Sequence, residues 1–325
     1  MCIRDSTETI EGRVFQHDLK IKTVQNSQSP NFGKAFIQGN LEIATDEAGL
    51  NVVKVHYTYV SETTKQGGKN STFTNLKSII EEGKSWIADG KDNATLVQVT
   101  PSIALNDFFI NDNGEDQLVS EKRNEGGFVN FITLNQLNED ETARTKFNTD
   151  MLITNIAHIE ANPDRNIKKD YVVVRGAIFN FRGDILPMEF SVRTEDGMKY
   201  FESLDVTEAQ PLFTQVWGQV RNFTQEYTYT QASAFGENAV RTSKRTTKEY
   251  LITGASPVPY DFGDEKILTA EDVTKANQNR QVYLANVKKQ RDEYMAQKAA
   301  NNTPSPATPV GAVAVSYTHL RAHET

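Results

Sequence analysis

Gly236-Glu237-Asn238-Ala239-Val240-Arg241-Thr242-Ser243-Lys244-Arg245-Thr246-Thr247-Lys248-Glu249-Tyr250-Leu251-Ile252-Thr253-Gly254 couples a turn to a β-prone run. Four cations, Arg241, Lys244, Arg245 and Lys248, stand on that run, opposed there only by Glu249. A weaker copy lies upstream, where Gly114-Glu115 leads to Lys122-Arg123 and then to Phe128-Val129. In both copies Gly-Glu is followed at the same spacing by Lys-Arg and then by an aromatic-aliphatic pair, Phe128-Val129 or Tyr250-Leu251. Two copies of one turn-and-strand unit predict two related β domains, each closing with it. The second, more basic copy is the expected functional surface.

Working outward, the first half reads as strands over residues 9–24, 34–44 and 52–60. In the third, Val53, Val55, Tyr57 and Tyr59 alternate with polar residues, the period of a half-buried strand. Residues 73–83 read as a short helix, with Phe73, Leu76, Ile79 and Ile80 on one face and Gly83 as its stop. Further strands are expected at 96–99, 108–110 and 128–134. Strands, one short helix and then more strands is the order of an OB-type barrel, a small Greek-key barrel.

A polar, acid-rich joint at 138–145 precedes a restart of the pattern. Phe147-x-x-Asp150-Met151 echoes Phe15-x-x-Asp18-Leu19, the strand around Gly176 echoes that around Gly39, and 188–192 echoes 53–57. Offsets of roughly 120–140 residues indicate a whole-domain duplication rather than a solenoid. The fold expected is mainly β: two tandem OB-like β-barrel domains, each with little helix, then a C-terminal helix and a flexible tail. The boundaries are 7–137 for the first barrel, 138–146 for the linker and 147–260 for the second barrel. A helix follows within 261–300, started by Thr269 with Asp272 three residues on, and then a Pro-bearing linker at 301–314.

The ends, Met1-Cys2-Ile3-Arg4-Asp5-Ser6 and residues 315–325, resemble translations of the transposase adapter used in sequencing libraries. On that resemblance they fall outside the fold, and the only cysteine, Cys2, falls with them. A cysteine-free body suits a reducing, cytoplasmic compartment. The net charge of −8 excludes a protein coated in positive charge but leaves room for a local basic groove. No apolar run approaches the roughly 18 residues of a membrane span.

No catalytic constellation emerges, and no cofactor or metal is expected. His17, His56 and His158 lack metal-ligand spacing. Gly67-Gly68-Lys69-Asn70 lacks the first glycine of a phosphate loop and carries Asn70 where magnesium needs a hydroxyl, so it reads as a turn. Asn111-Asp112-Asn113-Gly114 lacks the later glutamate of a calcium loop. Basic and aromatic residues are more informative, because single-strand binding needs cations along the phosphates and aromatic faces for the bases. The second half offers Arg221, Phe223, Tyr227 and Tyr229 on one segment and Arg241, Lys244, Arg245 and Lys248 on the next. The first half offers Lys54, Tyr57, Tyr59, Lys65 and Lys69. The opposing reading makes the aromatic residues core and the cations a solvated edge.

With these residues in place, the chain resembles phage-encoded single-stranded DNA-binding proteins built on OB folds. The resemblance spans residues 10–255 and is carried by the restarting strand order, the Lys-Gly loop before the helix, and the basic segment 241–248. It implies a non-enzymatic protein that binds single-stranded DNA in replication or recombination. It also implies recruitment of replication proteins through an acidic C-terminal tail, of which 303–314 would be the approach. The alternative from another class is a phage structural or assembly protein made of duplicated β domains.

Overall fold

Alternation of apolar and polar residues in the first strand, Glu8 to Val14, buries every second side chain, and the same period runs through both halves. A computed structural model of the chain describes residues 6–112, 115–162, 167–264 and 267–301, with backbone alone at 223–227, 244–247 and 299–301. Residues 1–5 and 302–325, including most of both adapter-like ends and the expected linker and tail, lie outside the described residues. The first half contains β1 (Thr7–His17), β2 (Lys20–Thr23), β3 (Ala35–Ala44), β4 (Val52–Ser61), α1 (Ser71–Glu82), α2 (Trp86–Asp89), β5 (Leu96–Asp112) and β6 (Glu115–Phe131). The second half contains β7 (Thr145–Ile159), β8 (Tyr171–Phe179), β9 (Ile185–Val192), α3 (Glu195–Glu202), β10 (Leu212–Gln231) and β11 (Ala239–Ala255), and α4 (Ala270–Asn301) follows.

Strand pairing closes two rings. In the first, β1, β3, β4, β6 and β5 return to β1, with β4 and β6 parallel. In the second, β7, β8, β9, β11 and β10 return to β7, with β9 and β11 parallel. In each ring the one parallel pair is bridged through a crossover that carries a helix, α1 or α3, after the third strand. Both are OB barrels. The first is filled by Leu41, Ile43, Val53, Val55, Val97 and Val99, and α1 closes it with Phe73, Leu76 and Ile79. Asn70 caps that helix by accepting from the Thr72 amide. Gly83 ends it where a Cβ would collide with the Ile79 carbonyl. The second is filled by Phe147, Met151, Val174, Phe190, Val220 and Tyr250, with Phe201 of α3 and also Ile103 and Leu105 of β5.

The short strands expected at 96–99, 108–110 and 128–134 are parts of two 17-residue strands. Polar residues separate these apolar stretches, so the sequence showed the hairpin in pieces rather than as two continuous strands. The echoes are also re-registered. Bulges after Val14 in β1 and after Ile153 in β7 make these two residues equivalent. Their partners Ile43 and Gly176, and then Val53 and Met188, correspond in turn. Gly176 therefore matches Ile43 rather than Gly39, whereas the 188–192 echo of 53–57 keeps its register. Gly114, the expected match of Gly236, lies outside the described residues.

The barrels are joined by antiparallel pairing of β1 with β7, from Thr7 opposite Asn148 to Ile10 opposite Thr145. Arg144, nearly buried in the joint, donates to the carbonyls of Asn138 and Thr45 and pairs with Glu47 at 3.0 Å. Helix α4 opens with the expected capping box: Asp272 N donates to Thr269 Oγ1, and Thr269 N donates to Asp272 Oδ2. Most of α4 is exposed, but Leu268 and Ala276 are buried against Leu152, Phe179 and Phe213 of the second barrel. Among the described residues no helix is long and apolar enough to cross a membrane.

Candidate nucleic-acid interface

An OB barrel presents its second and third strands, flanked by the loops after its first and fourth strands, to oligonucleotides or oligosaccharides. In the second barrel the loop after the fourth strand is the β10–β11 hairpin. Its ladder continues to Gln231 opposite Ala239, well past the buried Asn222 and its half-buried partner Lys248. Residues 228–242 are exposed, so the outer hairpin is a two-stranded arm. Directly opposed residues share a face. The register therefore places Phe223, Tyr227 and Tyr229 on the same face as Arg241 and Arg245, with Tyr229 opposite Arg241. Lys244, opposite Glu226, belongs to the other face. Tyr229 is 48% exposed, and Arg241 has no ion pair among the described residues.

Phe235 was missed by sequence reading: it stands at the arm's tip, 97% exposed. Its signal was its place beside Gly236, the turn from which the basic strand departs. At the arm's base, Arg221 is half-buried and donates to Gln219 at 3.0 Å.

Lys248 is withdrawn from this surface. It lies between the barrels, where it donates to Asn124 Oδ1 of β6, and Tyr250 Oη donates to the same oxygen at 3.0 Å. Glu8 of β1 is buried beside them; the Tyr250 hydroxyl, turned to Asn124, lies close to its carboxylate, and neither carboxylate oxygen has a hydrogen bond of good geometry among the described residues. Burial pushes the Glu8 carboxyl up to about 7, against the pull of the Lys248 ammonium. Burial likewise lowers Lys248 to about 8, against the pull of Glu8. This cluster fixes one barrel on the other and offers nothing to a phosphate.

In the first barrel, Lys54 is exposed on the strand 2–3 face and pairs with Glu42 at 2.9 Å. Beside it His56 Nδ1 meets Asn40 Oδ1 at 2.9 Å, and Thr58 donates to Glu125 at 2.7 Å. Tyr59 is exposed and stacked on Phe36, with centroids 4.7 Å apart. Lys65 and Lys69 sit on the exposed turn before α1. Tyr57 is a correction. Its clean alternation with Val53 and Val55 turns it into the core, 0% exposed, and no base can stack on it.

The equivalent hairpin of the first barrel, β5–β6, is acidic and held down. Asp107 receives both terminal guanidinium nitrogens of Arg280, and Asp116 pairs with Lys288 at 2.9 Å and Arg291 at 2.7 Å, all from α4. One hairpin is thus clamped by the helix, while its duplicate carries an exposed outer length at residues 228–242 with Arg241 on it. On the second barrel's strand 2–3 face the cations are engaged: Arg175 pairs with Glu189 at 2.6 Å and Arg193 with Glu249 at 2.7 Å. Among the described residues there is no cluster of three potential metal ligands.

These features define a tandem OB-barrel protein whose halves differ at one hairpin, clamped by α4 in the first barrel and exposed at residues 228–242 in the second. The chain belongs to the YorF family, whose model matches residues 9–290. Among solved structures it is similar to a deletion mutant of the single-stranded DNA-binding protein from Thermus aquaticus, at 13% identity and a TM-score of 0.43, covering 81% of this chain and 98% of that one. The wild-type form of that protein is similar at 13% identity and a TM-score of 0.41, covering 78% and 92%. No curated protein matches the chain.

Proposed function

We propose that this protein binds single-stranded nucleic acid, without catalysis and with little sequence preference, as single-stranded DNA-binding proteins do. The observation that carries the reading is the β10–β11 arm. Its backbone register puts Phe223, Tyr227 and Tyr229 on the same side of the ladder as Arg241 and Arg245, and its outer length, residues 228–242, is an exposed ribbon in an acidic chain. Cations at that spacing track phosphates, and aromatic faces stack any base. The first barrel adds Lys54, Lys65, Lys69 and the Phe36–Tyr59 stack. A host role in phage replication, with replication proteins as partners, is the extension of this reading that the sequence resemblance supplies.

The test is retention of labelled single-stranded and double-stranded oligonucleotides at low salt. The reading requires single strands to be retained in preference to duplex of the same sequence. Equal failure to retain either form removes it.

A further inference from the structure

A second surface lies away from the arm. A groove of about 710 Å³ opens where the base of the β5–β6 hairpin, the turn between β8 and β9, and helix α4 meet. That volume falls within the roughly 300–1,000 Å³ of ligand sites. Three aromatic side chains from three different elements line it: Tyr59 of β4, Phe181 of the turn and Tyr283 of α4. Phe181 is 71% exposed and Tyr283 48% exposed, so both rings are accessible from the groove.

The cations of the groove divide by availability. Arg280 is neutralised by Asp107, and Arg123 by Glu125 at 3.0 Å. Arg182 has no acidic partner among the described residues, and its guanidinium lies 5.0 Å from the centre of the Phe181 ring. The turn that presents this pair is braced: Asn180 Oδ1 accepts from the amides of Arg182 and Asp184, and Asn180 Nδ2 donates to Asp184. Gly126 lines the groove with open space where a Cβ would stand.

We infer that this groove seats a short segment of the same single strand, stacking bases on Phe181, Tyr283 and Tyr59 and meeting a phosphate at Arg182. The inference rests on the proposed binding of single strands. A flat unsaturated ring carrying an anion is the chemistry that fits aromatic side chains sharing a groove with a guanidinium that has no acidic partner among the described residues. Tyr59 belongs both to the groove and to the Phe36–Tyr59 stack at the end of the first barrel's face. Phe181 belongs to the second barrel. The groove is therefore where a strand passes from one barrel to the other, and helix α4 forms one of its walls.

The experiment compares the full chain with Phe181→Ala/Arg182→Ala and, separately, Tyr283→Ala. Fluorescence anisotropy is read on labelled dT oligomers from about 8 to about 40 nucleotides, a range spanning one and two OB sites. Both variants replace exposed side chains, and a thermal melt matching the parent verifies their fold. The expected result is a loss of about 5- to 100-fold for long oligomers with little change for the shortest, because only long strands make the crossing. Unchanged affinity of both variants at every length, with the parent binding normally, overturns the groove and leaves the arm intact. A parent that binds no oligomer of any length overturns both.

Discussion

Glu8 on β1 and Phe147 on β7 are paired with one another across the ladder that joins the barrels. Each lies six residues before the bulge of its own strand, so each is the other's duplicate. The ladder thus has a local two-fold character, with this pair at its centre. Phe147 fills the second core, with Phe190 and Tyr250 at 5.3 and 5.6 Å. Its counterpart is a buried carboxylate held near Lys248. One copy of the duplicated position became packing and the other became a charge between domains.

That charge sets a pH dependence. Glu8 is raised from 4.5 to about 7, so the folded state holds its proton more tightly than the unfolded chain. Its contribution to stability is fully present below 4.5 and is lost as pH rises through 7. Lys248, lowered from 10.5 to about 8, contributes above 10.5 and loses its contribution as pH falls through 8. Urea denaturation should show the parent losing stability between pH 5 and 7.5 by on the order of 1–3 kcal/mol more than Glu8→Gln does. Equal slopes for the two proteins would place Glu8 outside the titration.

The α4 clamp makes a second prediction. Asp107 and Arg280 are both nearly buried, so removing one leaves the other an uncompensated charge. Arg280→Ala should cost about 3–5 kcal/mol, and hydrogen exchange should quicken in the outer β5–β6 hairpin. Arg280→Ala with unchanged exchange in that hairpin would show that the helix is a passenger there. Cutting the chain after Pro259 removes Leu268 and Ala276 as well, and so uncovers Leu152, Phe179 and Phe213.

Much of this fold was legible because period-two patterning marks strands such as β4 that face a core on one side, and because the second half repeats the order of the first. Val53, Val55 and Tyr57 announced β4, and Gly83 marked the end of α1, whereas the Asn70 cap was read only as part of a loop. The outer halves of the long hairpins were legible only in pieces, at 108–110 and in the β-prone run after Gly236, since residues such as Thr228 or Glu121 face water on an arm and carry no period. The candidate site divides along the same line. Arg241 and Tyr229 were named from charge and ring type alone, and alternation could not say that Lys248 would be trapped between barrels. Phe181 and Arg182 were invisible, because their surroundings come from α4, about a hundred residues further on.

Two tyrosines two residues apart give a third prediction. Tyr57 is wholly buried and its hydroxyl has no hydrogen-bond partner among the described residues. Tyr57→Phe should be neutral or stabilising by about 1 kcal/mol, with oligonucleotide affinity unchanged. Tyr59→Ala should instead leave the thermal transition close to that of the parent and weaken binding by roughly 1–3 kcal/mol through lost stacking. The reverse pattern would mean that β4 is turned over relative to the barrel.

The arm is tested most directly by the salt dependence of binding. Each phosphate neutralised releases condensed counterions, adding about 0.7 to the slope of log affinity against log salt on a single strand. Arg241→Ala combined with Arg245→Ala should lower affinity for a labelled single-stranded oligonucleotide and flatten that slope by roughly 1–2 units. Tyr229→Ala should weaken binding with the slope preserved. A stably folded parent that retains no single strand at low salt, or an Arg241/Arg245 double variant with the parent's affinity and slope, would contradict the account.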